Sequence, residues 1–193
     1  NIKVIVDNDY DLERLDKISN SFNRDLEIMI RFTPGIECHT HEYIRTGSFD
    51  SKFGFGIEYL NNLFASIRET KHLKLKGLHA HIGSQIFELD PHKDLGEIMV
   101  NVILEAKKFG HDIRKLNVGG GLGIKYTEND DPPSIDEWVK TISISAINIE
   151  LLSLVSNEWN AFIKSFLVIP FVSFLTIRVI NFAESRAMWG GDG

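Results

Sequence analysis

Residues 75–121 read LKGLHAHIGSQIFELDPHKDLGEIMVNVILEAKKFGHDIRKLNVGGG, and this stretch decides the fold class. Leu75–Ile82 is a short apolar run of strand length, followed by Leu95–Phe109, in which Ile98, Val102, Ile103 and Ala106 recur at helical spacing. Ile113–Val118 is a second strand that runs directly into Gly119, Gly120 and Gly121. Working outward, the same order repeats. Toward the amino terminus, Ile2–Val6 and Leu26–Phe32 read as strands, each followed by a helix, over Asp11–Ser21 and Glu58–Thr70. Toward the carboxyl terminus, Ser134 and Glu137 are spaced as a capping box that opens a helix at about Ile135. Four strands thus alternate with four helices, which predicts an α/β fold with a parallel sheet, because parallel neighbours need a return connection of helix length. A barrel and an open doubly wound sheet both satisfy the alternation. Either places ligands at the carboxyl ends of the strands, on the loops after Ile82 and Val118.

At 193 residues the chain is long enough for one domain but short of the roughly 250 that a closed eight-fold β/α barrel needs. With 43% apolar and 25% charged residues, the composition is that of a soluble globular protein. A formal charge of -6 disfavours nucleic acid and anionic lipid as partners. The lone Cys38 cannot close an intramolecular disulfide, and NIKVIVDNDYDLERL has no signal-peptide character, so a cytoplasmic location is expected. Beyond Lys140 the composition shifts: seven of the charged residues lie there, against forty-one before it. Phe166–Ile177 is nearly all apolar but shorter than the about 20 residues of a membrane-spanning helix. It reads as a buried strand or as an added terminus foreign to the rest of the fold.

Several constellations could carry chemistry. Gly119–Gly121, directly after a strand, lets consecutive backbone amides approach an anion, as in phosphate cradles; the same triplet also suits a plain turn with positive φ angles. His79 and His81 are two apart on the preceding strand, so both side chains project to the same face, with Gly83 and Ser84 at its end. The pair invites a zinc-hydrolase reading, against which no further ligand stands at the next strand end, and no metal is expected. The alternative reading has one histidine satisfied within the barrel wall and the other merely polar. His39 and His41 lie in a long polar loop, and Asp130 and Asp131 read as a solvated turn and not as a cation site. Arg31 ends a strand, where it can hold a carboxylate, a phenolate oxygen or a neighbouring acidic side chain; Lys52 lies in the loop before FGFG.

Taken together, RFTPGIECHTHEYIRTGSFDSKFGF, GLHAHIGSQIFELDP and LNVGGGLGIKYTENDDPPSIDEW resemble the diaminopimelate decarboxylases, in that family's order and spacing, over about residues 1–142. The resemblance implies a partial (β/α)8 barrel of the TIM type in its alanine-racemase form, of about four β/α units. It implies pyridoxal 5′-phosphate as cofactor, meso-diaminopimelate as the small-molecule substrate, L-lysine and carbon dioxide as products, and a homodimer. Carried over by motif, His81 matches the histidine stacked on the cofactor's ring, Ser84 a phosphate contact, and Gly119, Gly120 and Gly121 the phosphate-binding loop. Arg31 matches a strand-end arginine near the cofactor, and Lys52 a loop lysine near the active-site entrance. The same resemblance places the cofactor's lysine ahead of Asn1 and a Glu-Pro-Gly-Arg segment soon after Trp138, which this sequence does not contain. It also implies a later β-rich domain whose cysteine Cys38 does not match. The expectation is therefore a barrel fragment, residues 1–142, joined to a divergent tail, residues 143–193. Its alternative is a catalytically inactive truncated product that binds a phosphate-bearing ligand or an intact subunit.

Overall fold

The computed structural model describes residues 3–36 and 53–146. Strand β1 (Val4–Val6) leads into helix α1 (Asp9–Phe22), then β2 (Leu26–Thr33). A two-residue strand β3 (Phe55–Gly56) and a 3-10 turn (Ile57–Tyr59) precede α2 (Leu60–Glu69). After these come β4 (Leu73–His79), α3 (Asp90–Lys108), β5 (Lys115–Asn117) and, at the end of the described residues, helix α4 over 135–146. The strands stand in the order β1-β2-β4-β5, all neighbours parallel, and β3 pairs only with the end of β2. The helix-length return connections that the alternation predicts are present.

Local chemistry sets the boundaries. The Asn8 side chain accepts from the Asp11 amide at 2.9 Å and so caps α1, whose first turn carries Asp9 and Asp11 against the positive end of the helix dipole. Asn23, at φ 47, ends α1 in the left-handed conformation that asparagine tolerates. Leu60, Leu63, Phe64 and Ile67 form the buried face of α2, the positions that the spacing marks. Ser134 and Glu137 form the capping box reciprocally, the Glu137 carboxylate accepting from the Ser134 amide at 2.9 Å and the Ser134 hydroxyl from the Glu137 amide at 3.2 Å. Helix α3 starts at Asp90, five residues ahead of the expected Leu95, because Pro91 sits in its first turn, where a missing N–H costs nothing.

The core lies between sheet and helices. In β2, Ile28, Met29 and Ile30 are consecutive and all buried, as in a central strand covered on both faces. Beside them β4 shifts register: Leu75 faces Ile28 but Gly77 faces Met29. Lys76 is the extra residue, its ammonium on Asp112 at 3.0 Å and its carbonyl accepting from the Arg114 amide at 3.0 Å. A Cβ on Gly77 would meet Met29 Cγ at 2.7 Å, so glycine suits this position. The shift brings Arg31 level with His79, and His79 level with Asn117, at the carboxyl ends of three adjacent strands.

Candidate functional site

That in-register row, one residue above the buried layer, is the floor of the site. Asp7 follows β1 and holds the Arg31 guanidinium at 3.3 Å; the same guanidinium lies over the Phe53 ring, 4.7 Å from its centroid. Arg31 is thus already balanced by a carboxylate, which limits the charge it presents to any other anion. His79 Nδ1 stands 3.2 Å from the Asn117 carbonyl oxygen, and the Ala80 amide donates to that same oxygen at 3.0 Å.

Strand β4 stops at His79, so His81 lies two residues beyond the strand and not on it, as the sequence reading had placed it. There it meets the glycine loop. The Gly120 amide donates to His81 Nδ1 at 3.4 Å, which makes Nδ1 an acceptor and places the ring proton on Nε2. Burial first, then the positive charge of Arg31, lower the pKa of His79 and of His81, and His79 adds to the effect on His81. Both imidazoles are therefore neutral near pH 7.

The three glycines differ. Gly119, at φ +70, has its amide held by Asn117 Oδ1 at 2.9 Å, and a Cβ there would meet His81 Nδ1 at 2.7 Å. Gly121, at φ +107, is pressed against the Gly83 carbonyl oxygen. Only Gly120 is open: a Cβ on it would meet nothing within 4 Å. Of the three amides that the sequence offered to an anion, the first is spoken for inside the protein and the second makes only a long contact that a phosphate oxygen can replace. Ser84 is exposed on the neighbouring loop. The arrangement fits the phosphate end of pyridoxal phosphate: a side-chain-free backbone loop with a neutral imidazole against its Gly120 amide, and an exposed serine on the adjoining loop.

Lys52, His39, His41 and Cys38 lie outside the described residues, as does the tail from 147 onward. Among the described residues no group of three or more His, Cys, Asp or Glu side chains converges as a metal site would need, and no helix is long and apolar enough to cross a membrane. Sequence reasoning missed Asp7, Asn117 and Gln85. The signals were slight: Asp7 and Asn117 sit at strand ends, and Gln85 follows Ser84 in the same loop.

The pyridoxal binding domain of the pyridoxal-dependent decarboxylases matches residues 1–151. Diaminopimelate decarboxylase of Synechocystis sp. is 54% identical over 145 residues, covering 75% of this chain and 31% of that protein. The Bacillus subtilis enzyme of the same name is 37% identical over 142 residues, 72% of this chain and 32% of its own length. Among solved structures, diaminopimelate decarboxylase from Helicobacter pylori complexed with L-lysine superposes with TM-score 0.69 at 29% identity, over 74% of this chain and 36% of that one. Diaminopimelate decarboxylase from M. jannaschii in co-complex with L-lysine gives TM-score 0.68 at 25% identity, over 77% of this chain and 35% of that one. The chain spans about a third of the length of the curated relatives it matches.

Proposed function

Because the chain belongs to the pyridoxal-dependent decarboxylases, through their pyridoxal binding domain, we propose that it is the phosphate-gripping part of a diaminopimelate decarboxylase barrel. The observation that carries this reading is the meeting of His81 with the glycine loop, Gly120 amide on His81 Nδ1, at the carboxyl ends of β4 and β5. Gly120, Gly121 and Ser84 would hold the phosphate. His81, kept neutral, would lie flat against the pyridine ring without setting a second positive charge beside it. Arg31, neutralised by Asp7, would border the ring, and Lys52 would stand near the entrance.

When bound, pyridoxal phosphate supplies the electron sink that makes loss of a carboxylate from an amino acid feasible. The residues described here bind and orient; the cofactor's lysine and the Glu-Pro-Gly-Arg segment are assigned by resemblance to stretches outside residues 1–142. The substrate is meso-diaminopimelate, the product L-lysine, the assembly a homodimer and the compartment the cytoplasm. Identity to two diaminopimelate decarboxylases over some 140 residues supports this branch. The barrel part is assigned to residues 1–142 and the divergent tail to 143–193, a division that the loss of charge beyond Lys140 supports; the family match itself extends to residue 151.

A segment exchange tests the reading. Residues 1–142 of this chain replace the matching third of the Synechocystis enzyme, and carbon dioxide release is followed from meso-diaminopimelate, ornithine and arginine. Release from meso-diaminopimelate alone is expected. A folded chimera that prefers ornithine or arginine refutes the substrate assignment, and one that binds pyridoxal phosphate but releases nothing from any of the three favours the non-catalytic alternative.

A further inference from the structure

The glycine loop is gripped at both ends by side-chain amides. Asn117 holds its start, through Oδ1 on the Gly119 amide at 2.9 Å. Gln85 holds its far end, donating from Nε2 to the Ile124 carbonyl at 2.8 Å while Oε1 accepts from the Ile124 amide at 3.0 Å. One side chain thus satisfies both backbone groups of one residue, as a neighbouring strand would. Directly beside this clamp, the Ile86 amide donates to the Gly121 carbonyl and the Gly123 amide to the Ile86 carbonyl, each at 2.8 Å. The loops after β4 and β5 are thereby zipped together, with the open Gly120 between the two amide grips.

Gln85 adopts φ 60, a left-handed backbone conformation that a residue with a long side chain takes only when its surroundings impose it. The clamp is half-exposed, Ile124 being 42% accessible, and two hydrogen bonds in such a place contribute a net stabilisation of the same order as the backbone conformation costs. The fold at large gains little from Gln85. What the residue secures is the shape of the loop.

We propose that Gln85 is a positioning residue for the phosphate site, acting through Ile124 to hold Gly120 and Gly121 where their amides face the anion. This rests on the reading of the glycine loop as the phosphate site. The function of that loop depends on geometry that glycine, with its wide conformational freedom, cannot hold by itself. Two amide grips replace the rigidity that three glycines give up.

The test uses the full 193-residue chain with pyridoxine 5′-phosphate, whose alcohol cannot condense with surface lysines, and pyridoxine as the phosphate-free control, both by equilibrium dialysis. Wild type is expected to prefer the phosphate ester and to release it to inorganic phosphate. Gln85→Ala and Gln85→Gly are expected to weaken the ester about tenfold and to leave pyridoxine unchanged. Hydrogen exchange at the Ile124 amide should rise in both. The glycine variant separates side chain from backbone, since glycine accepts φ 60 without cost. If Gln85→Gly keeps wild-type preference for the ester, the amide clamp is overturned. Loss of the folded circular-dichroism signal in both variants also overturns it, because the residue would then serve the fold at large. If wild type itself shows no preference for the ester, the phosphate site falls and the clamp with it.

Discussion

The imidazole of His92 and the indole of Trp138 meet edge to face, ring centroids 5.6 Å apart and planes at 85°. They join the first turn of α3 to α4, out of contact with water, and neither His92 nitrogen nor Trp138 Nε1 has a hydrogen-bond partner among the described residues. Burial, with a smaller contribution from His81, pushes the His92 pKa down to about 4. In the unfolded chain it returns to about 6.5, so the unfolded state takes up the proton first. Stability is therefore full above about pH 6.5 and falls as pH drops toward 4, by about 3 kcal/mol from this residue. Urea unfolding of wild type and His92→Phe at pH 7 and pH 4.5 measures it. The phenylalanine variant keeps a ring for Trp138 and should lose less stability on acidification. Equal losses in the two proteins would assign the acid sensitivity to the carboxylates instead.

Arg31 and His79 stand in register on adjacent strands, and the guanidinium lowers the pKa of both His79 and His81 after burial has done so. Arg31→Met removes that charge and leaves Asp7 unbalanced, which favours protonation further. Both histidines are expected to titrate at higher pH in the variant, yet still below their ordinary value, since burial is the larger cause and remains. A proton–nitrogen correlation titration of the imidazoles reads this directly. Unmoved histidines would mean that the Asp7 carboxylate already screens the guanidinium.

Helical faces and caps were legible because their information is local. Leu60, Leu63, Phe64 and Ile67 lie within eight residues, and Ser134 and Glu137 within four. The expectation for α3 began at Leu95, with the apolar spacing, and so left out the polar first turn from Asp90, in which Pro91 fits. Strand β3 has two residues and no periodicity to show. The bulge at Lys76 exists only in relation to β2, and on it depends the row of Arg31, His79 and Asn117. So the glycine loop and His81 could be found from the strand-end rule, whereas Asp7, Asn117 and Gln85 gain their roles from partners 24, 2 and 39 residues away. Asn117 was the near one, and it was hidden because it falls inside the run Ile113–Val118, where it reads as one more strand residue.

The three loop glycines should differ sharply when replaced by alanine. Gly121→Ala forces a Cβ onto the Gly83 carbonyl at φ +107 and is expected to cost about 3 kcal/mol or more. Gly119→Ala, at φ +70 with His81 Nδ1 at 2.7 Å, His81 Cβ at 2.9 Å and the Ala80 carbonyl oxygen at 3.0 Å, should cost about 2 kcal/mol, less than Gly121→Ala because its carbonyl contact is longer. Gly120→Ala should stay within about 0.5 kcal/mol of wild type, its Cβ meeting open space. Thermal unfolding of the three variants gives the order, and equal costs would mean that the loop relaxes as a whole.

Gly96 on α3 packs against Ser145 on α4, where an added Cβ would meet the Ser145 hydroxyl and, at 2.9 Å, the Ile142 carbonyl oxygen. The hydroxyl itself donates to that carbonyl at 2.9 Å. Gly96→Ala should therefore destabilise by about 1–3 kcal/mol, despite the better intrinsic helix propensity of alanine. Ser145→Ala in the same chain removes the side-chain clash and leaves the carbonyl one, so the double variant should recover part of the loss and no more. A cycle of the two single variants and the double, followed by urea unfolding, should show a favourable coupling of about 0.5–1 kcal/mol. Strict additivity would place the two helices further apart than Gly96 and Ser145 allow, and would remove the constraint that seats Trp138 against His92.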